Sequence, residues 1–343
     1  MLLFIVTLVL TKVNTDTWQT EFLATTLIIV VLININSAIF QGGIFGLAGS
    51  FPQKYMKTLL SGQVNIMSHE NPLSSSCQGG GGVVVASINV ALLAVGGDQV
   101  EAAFYCFLFS VIYLMGSVLA FVYLSRTSLY YQCITSKTRS SSSEPDESTL
   151  LLQQDQDTPD KTVSVAAILR KIKIEALAVF IIYVVTLGLF PAVTVLIEPT
   201  NIASHDLWET KYFVPVSCFL FYNIGDYLGR LMIETRVAPR ICSNFALVLS
   251  LIRFSLIPLM LMCNILPDQR QYLPVYFDSD AVYIILIFVL SISNGYLTSV
   301  VMVNAPGKVH DYEQQTASNL MVGILGLGLI SGAAVSALLI NIL

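Results

Sequence analysis

Between Tyr212 and Glu234 the chain reads YFVPVSCFLFYNIGDYLGRLMIE, an apolar stretch interrupted by Asn223, Asp226 and Arg230. An ionisable side chain at the centre of a bilayer costs about 2.5–3.5 kcal/mol on insertion scales, so it persists where it faces a bundle interior or a hydrated path. On a helix, Asp226 and Arg230 lie about 40° apart and Asn223 about 60° from Asp226, which reads all three onto one side. Asp226 precedes Arg230 by four residues, the order and spacing at which a carboxylate and a guanidinium pair. A carboxylate only accepts hydrogen bonds, a guanidinium only donates them, and an amide does both. Together they read as a polar face turned to a bundle interior or a water-filled path. The alternative is a pair that merely locks two helices together.

A second polar cluster interrupts the apolar run 22–49, where Asn34, Ser37 and Gln41 recur on one helical face. Gln41 offers donors and an acceptor, which suits a nucleobase edge or a ribose hydroxyl. Hydrogen bonding between helices is the other reading. Phe219, one turn before Asn223, is placed to stack on a planar ligand. Phe190-Pro191 predicts a kink in 174–197, and Asn294-Gly295 a similar break in 281–303. Arg253, inside 243–266, needs a carboxylate or backbone carbonyls as partners. Nothing points to covalent chemistry. His69, His205 and His310 fall in predicted loops, and the six cysteines form no Cys-x-x-Cys pair. Gly79–Gly82 lacks the Lys-Ser/Thr that a phosphate-binding loop requires. The reading is a non-enzyme with no cofactor, no metal and no nucleic-acid polymer as partner.

The elements that position these residues are membrane helices. Of 343 residues, 55% are hydrophobic and 11% charged, and the mean hydropathy is +0.74. A soluble domain carries about 25% charged residues, so this chain's main solvent is the lipid bilayer. The apolar runs approach the roughly 20 residues a helix needs to cross. They are 1–11 (short), 22–49, 83–97, 100–124, 174–197, 212–234, 243–266, 281–303 and 318–342. This predicts an all-α polytopic membrane protein with eight fuller spans and a partial first one. Lysines and arginines concentrate in alternate loops, among them Lys54, Lys57, Arg126, Arg139, Arg170 and Lys308. The opposite loops hold Lys12, Lys211 and Arg270. The bias puts the long 125–173 loop in the cytoplasm. Its Ser- and acid-rich composition predicts disorder. The domains are then an incomplete N-terminal bundle over 1–124, the disordered loop over 125–173, and a five-helix C-terminal bundle over 174–343. A polar, Ser- and Gly-rich stretch at 64–81 is expected to be a flexible insertion.

Several stretches resemble the equilibrative nucleoside transporter family. They include Ile33-Asn34 through Gln41-Gly42, Ser61-Gly62-Gln63, Phe190-Pro191-Ala192-Val193, Asp226-Tyr227-Leu228-Gly229-Arg230 and Ser293-Asn294-Gly295-Tyr296. The resemblance implies a major-facilitator-like carrier of two bundles, roughly eleven helices in all, that rocks around a midplane site. By that count the chain begins within the family's third helix and is N-terminally truncated. Gln41 is implied to contact the base, Asp226 and Arg230 the ribose side, and Phe219 and Asn223 the pocket wall. Gly62 is implied in transport and surface expression. Asn34, Ser37, Phe190, Pro191 and Asn294 are expected to line or gate the path. Nucleosides are the expected solutes, with nucleobases as further candidates, driven by their own gradient. The alternatives are a non-transporting fragment that partners a complete carrier and a proton-linked lysosomal carrier. Plasma membrane is the expected location. The acidic-dileucine pattern Glu147-Ser148-Thr149-Leu150-Leu151-Leu152 keeps the lysosomal membrane as the second choice.

Overall fold

A computed structural model describes residues 2–13, 18–48, 76–95, 99–126, 164–200, 207–234, 241–266, 274–310 and 313–342. All its named elements are helical. The chain divides into two compact units, Met1–Leu60 with Ala91–Thr162, and Ser61–Val90 with Val163–Leu343. Among the described residues, six helical segments are long and apolar enough to cross a membrane: Gln19–Ser37, Ala103–Tyr123, Lys173–Leu196, Ser243–Leu261, Asp280–Lys308 and Thr316–Ile342. The chain is a multi-pass membrane protein.

In the first unit, α1 (Leu2–Leu10) packs on α2 (Gln19–Ala48) and on α4 (Gln99–Ser125). Lys12 Nζ lies 4.9 Å above the Phe104 ring, a cation–π contact at the end of α1. Leu27, Ile28, Val31, Ile112 and Leu119 all point outward. Such faces are stable only in an apolar surround.

The helix α3 (Ser76–Ala94), assigned up to Val90 to the second unit, starts inside the stretch expected to be a flexible insertion. Its apolar part is Gly82–Ala94, too short to span, and it is lengthened by the Ser- and Gly-rich residues before it. The rest of that stretch, Gly62 and the acidic-dileucine pattern lie outside the described residues.

The second unit holds the core. α5 (Val165–Lys171) begins where Ser164 Oγ accepts from Ala167 N at 3.4 Å, a side-chain cap. It buries Ile168 completely, so the last part of the loop predicted to be disordered is helix. α6 (Lys173–Leu189) ends at Phe190, whose φ of −102° and ψ of 133° are extended. Proline disfavours helical geometry in the residue before it, so Phe190-Pro191 stops this helix instead of kinking it. The peptide bond between them is cis.

The run 208–234 begins as two π-helical segments, Trp208–Tyr212 and Val214–Leu220, and continues as α7 (Phe221–Glu234). Pro215 has no N–H to give the preceding turn, which favours the wider register. α8 (Ser243–Ile252) and α9 (Leu256–Leu261) are separated by a 3₁₀ turn, Arg253–Ser255. Pro258 explains that turn, because its ring meets the carbonyl of Phe254 four residues back.

α10 (Asp280–Asn304) runs unbroken through Asn294-Gly295, against the predicted break. Both residues are poor helix formers, but here each has a tertiary role, described below. α11 (Gln314–Ile342) packs along α6, and α10 packs along α7 and α6. Two ion pairs join the helix ends: Lys171 Nζ at the end of α5 to Glu313 Oε2, just before α11, at 2.8 Å, and Lys308 Nζ, just beyond α10, to the fully buried Glu175 of α6 at 2.6 Å.

Candidate functional site

α7 and α10 approach each other through glycines. A Cβ at Gly225 would run into Ser291, one at Gly229 would lie 2.8 Å from Tyr296 N, and one at Gly295 would lie 2.9 Å from Asp226 C. Close approach of this kind needs small residues at the crossing. It brings the backbone of α7 near enough for side chains on the two helices to meet.

At this crossing the predicted pair forms. Arg230 Nε donates to Asp226 Oδ2 at 2.8 Å. Asp226 Oδ1 accepts from Asn294 Nδ2, also at 2.8 Å. The side chains of Arg230 and Asp226 retain 19% and 14% exposure, so the pair is sheltered yet not sealed. Behind Asn294, Thr186 Oγ1 is 2.8 Å from Asn294 Oδ1, and Arg253 Nη2 is 2.7 Å from Thr186 Oγ1. Arg253 also donates through Nη1 to Leu290 O at 3.1 Å and to Ser293 Oγ. Of the two partners expected for Arg253, the backbone carbonyl is the one found, joined by two hydroxyls.

Beside the pair stands an aromatic cluster. Phe190 stacks on Tyr222 with centroids 3.7 Å apart and planes 5° from parallel. Phe219 meets Phe190 edge-on at 5.8 Å. Phe219 remains 38% exposed, leaving an aromatic surface where a flat ring can rest. Asn223 does not join Asp226 and Arg230. Its Nδ2 donates back to Phe219 O at 2.8 Å, and a Cβ at Gly82 of α3 would meet its side chain. Asn223 faces α3 while Asp226 reaches α10, so the single face expected for all three is not formed.

The structure thus brings Asp226, Arg230 and Asn294 together, and Phe190 with Phe219. Pro191 directs the chain out of α6. Asn34 Nδ2 donates to Val30 O at 2.8 Å on its own helix, and Ser37 is exposed. Gln41 lies on α2, but its side chain is outside the described residues. Thr186 was missed by sequence reasoning, since a threonine in an apolar helix carries no signal by itself. Arg253 was noticed but not connected to the site. A cation inside a span always requires several acceptors, and that requirement was the usable signal. Among the described residues no group of His, Cys, Asp or Glu is placed to hold a metal ion. Carboxylate, guanidinium and amide can bind hydroxyls and a ring edge.

Residues 27–341 match the family described as nucleoside transporter. The chain is 35% identical to human equilibrative nucleoside transporter 1 over 354 residues, covering 98% of this chain and 73% of that protein. It is 30% identical to human equilibrative nucleoside transporter 2 over 367 residues, covering 98% and 76%. With rat equilibrative nucleoside transporter 3 the identity is 28% over 343 residues, covering 98% and 69%.

Proposed function

Because the chain belongs to the nucleoside transporter family, we propose that it carries nucleosides across a membrane by facilitated, equilibrative transport. The observation that carries this reading is the 2.8 Å Asp226–Arg230 pair, held by Asn294 and still partly open. A ribose offers hydroxyls that donate to the carboxylate and accept from the guanidinium. The exposed face of Phe219 takes the base, and Gln41 reads a base edge from the other polar cluster. Asn223, Asn34, Ser37, Gly62 and the Phe190-Pro191 turn line or gate the path. The same groups admit a free nucleobase less well, since it lacks the hydroxyls.

Alternating access supplies the mechanism: two helical bundles, in a major-facilitator-like layout, rock about the bound solute. The solute's own gradient sets the direction of net flux. The plasma membrane is the proposed location, and surface labelling of intact cells checks it. The transport reading is tested in cells stripped of their own carriers. The chain is expected to take up radiolabelled uridine, and unlabelled uridine added outside is expected to accelerate efflux of preloaded label. Uptake no higher than in control cells contradicts the reading.

A further inference from the structure

The Asp226–Arg230 pair is tied to residues well beyond its own helix. Asn294 Nδ2 stands 2.8 Å from Asp226 Oδ1, Thr186 Oγ1 stands 2.8 Å from Asn294 Oδ1, and Arg253 Nη2 stands 2.7 Å from Thr186 Oγ1. The chemistry of the end groups fixes the direction of every link. A guanidinium has only donors, so Thr186 accepts from Arg253. A carboxylate paired with arginine only accepts, so Asn294 turns its NH₂ toward Asp226 and its oxygen toward Thr186. That oxygen has no proton to give, so the Thr186 hydroxyl donates to it. Ile182 O, 2.7 Å from the same hydroxyl, shares that proton as a back-bond within α6. All the links therefore point one way, from Arg253 through Thr186 and Asn294 to Asp226, and Arg230 meets the carboxylate from the other side. Hydrogen bonds aligned in this sense polarise and strengthen one another in a low-dielectric interior.

Arg253 is a costly choice for this position. It is only 3% exposed, and its Nε has no hydrogen-bond partner among the described residues. An aliphatic side chain of similar volume fills such a place without desolvating a charge. What an aliphatic side chain lacks is a donor aimed at Thr186. We infer that Arg253 is a positioning residue for transport: acting through Thr186 and Asn294, it holds the Asp226 carboxylate in the orientation that meets Arg230 and the solute. This inference rests on the transport reading proposed above. The purely architectural role, tying the turn between α8 and α9 to α10, belongs to the separate bonds from Nη1 to Leu290 O and Ser293.

The two roles separate at Thr186. Thr186→Val preserves shape and leaves both Nη1 bonds in place, but it cuts the relay. Uridine uptake, normalised to surface protein, is expected to show KM raised about tenfold with Vmax nearly kept, the scale of one hydrogen bond in a charged network. Thr186→Ser, which keeps the hydroxyl, is expected to recover most of that loss. Arg253→Met is expected to raise KM at least as much, and adding Thr186→Val to it is expected to cost little more, because residues in one network do not act additively. Should Arg253→Met fail to reach the surface, the Val and Ser pair at position 186 still decides the matter. If the unaltered chain takes up uridine and Thr186→Val behaves like Thr186→Ser, the relay is overturned and the transport reading stands. If the unaltered chain takes up none, both fall.

Discussion

Two helix crossings in the second unit are built alike and differ in what they carry. At the α6–α11 crossing, a Cβ on Gly332 would lie 2.7 Å from Leu187 Cβ and 2.8 Å from Tyr183 O. A Cβ on Gly328 would lie 2.9 Å from Phe180 O. At the α7–α10 crossing, Gly225, Gly229 and Gly295 serve in the same way. Both interfaces gain their stability from close backbone packing, which is what drives helix association where lipid is as apolar as leucine. Only the α7–α10 crossing adds a carboxylate, a guanidinium and an amide. Close packing does not require those groups, and each raises the cost of placing the helix in hydrocarbon. The glycines at both crossings are scaffold. The polar atoms at one of them are the working part.

The comparison breaks most sharply at Arg230. Arg230→Ala removes the charged partner of Asp226 and spares the glycine packing, so surface-normalised uridine uptake is expected to fall by about a hundredfold or more, with surface abundance falling far less. A hundredfold loss corresponds to about 2.7 kcal/mol. Steric insults placed at the two crossings sharpen it. Gly295→Ala pushes against rigid backbone, with the new carbon 2.9 Å from Asp226 C and 3.0 Å from Arg230 N. Gly332→Ala pushes less hard at the other crossing, where the new carbon lies 2.7 Å from Leu187 Cβ and 2.8 Å from Tyr183 O. Overpacking costs about 1–3 kcal/mol in either case, so both should lower the melting temperature of the purified chain. Uptake per surface molecule is expected to drop several-fold only for Gly295→Ala, where the displaced atoms belong to the pair. Equal losses of uptake would mean the two crossings share one role.

The smallest effect belongs to the ion pair between the end of α5 and the residue before α11. The hydrogen bond from Lys171 holds the Glu313 carboxyl below its ordinary range, helped by the His310 backbone N–H. A folded-state value below the unfolded one adds stability that is present above about 4.5, the unperturbed glutamate value, and is lost as the pH falls through the lower folded value. Lys171→Met is therefore expected to lower the melting temperature slightly at neutral pH. The gap from the unaltered chain should close as the medium is acidified through that range. Uptake at neutral pH should scale with surface protein alone.

How far the sequence revealed all this depended on distance along the chain. Asp226 and Arg230 are four residues apart, so helical geometry alone predicted their contact. The partner of Asp226 on α10 lies 68 positions away, and the Thr186–Asn294 and Arg253–Thr186 links span 108 and 67. No local period encodes such pairings. Asn294-Gly295 was read as a break because intrinsic propensity argues for one. The missing side chain of Gly295 instead lets α7 close in, and the Asn294 amide is occupied by Asp226 and Thr186, so packing overrode propensity. Phe190-Pro191 was located correctly but given the wrong consequence, a kink in place of a stop. Glu175 went unnoticed, since an acidic residue at a helix start looks solvated until Lys308, far along the chain, folds over it.

Asp226→Asn tests the central claim most directly, because it removes one negative charge while keeping shape and most hydrogen-bonding capacity. Counterflow of radiolabelled uridine through this variant, at surface levels matched to the unaltered chain, is expected to be close to background. Counterflow at the unaltered rate would contradict the assignment of the carboxylate to the transport path.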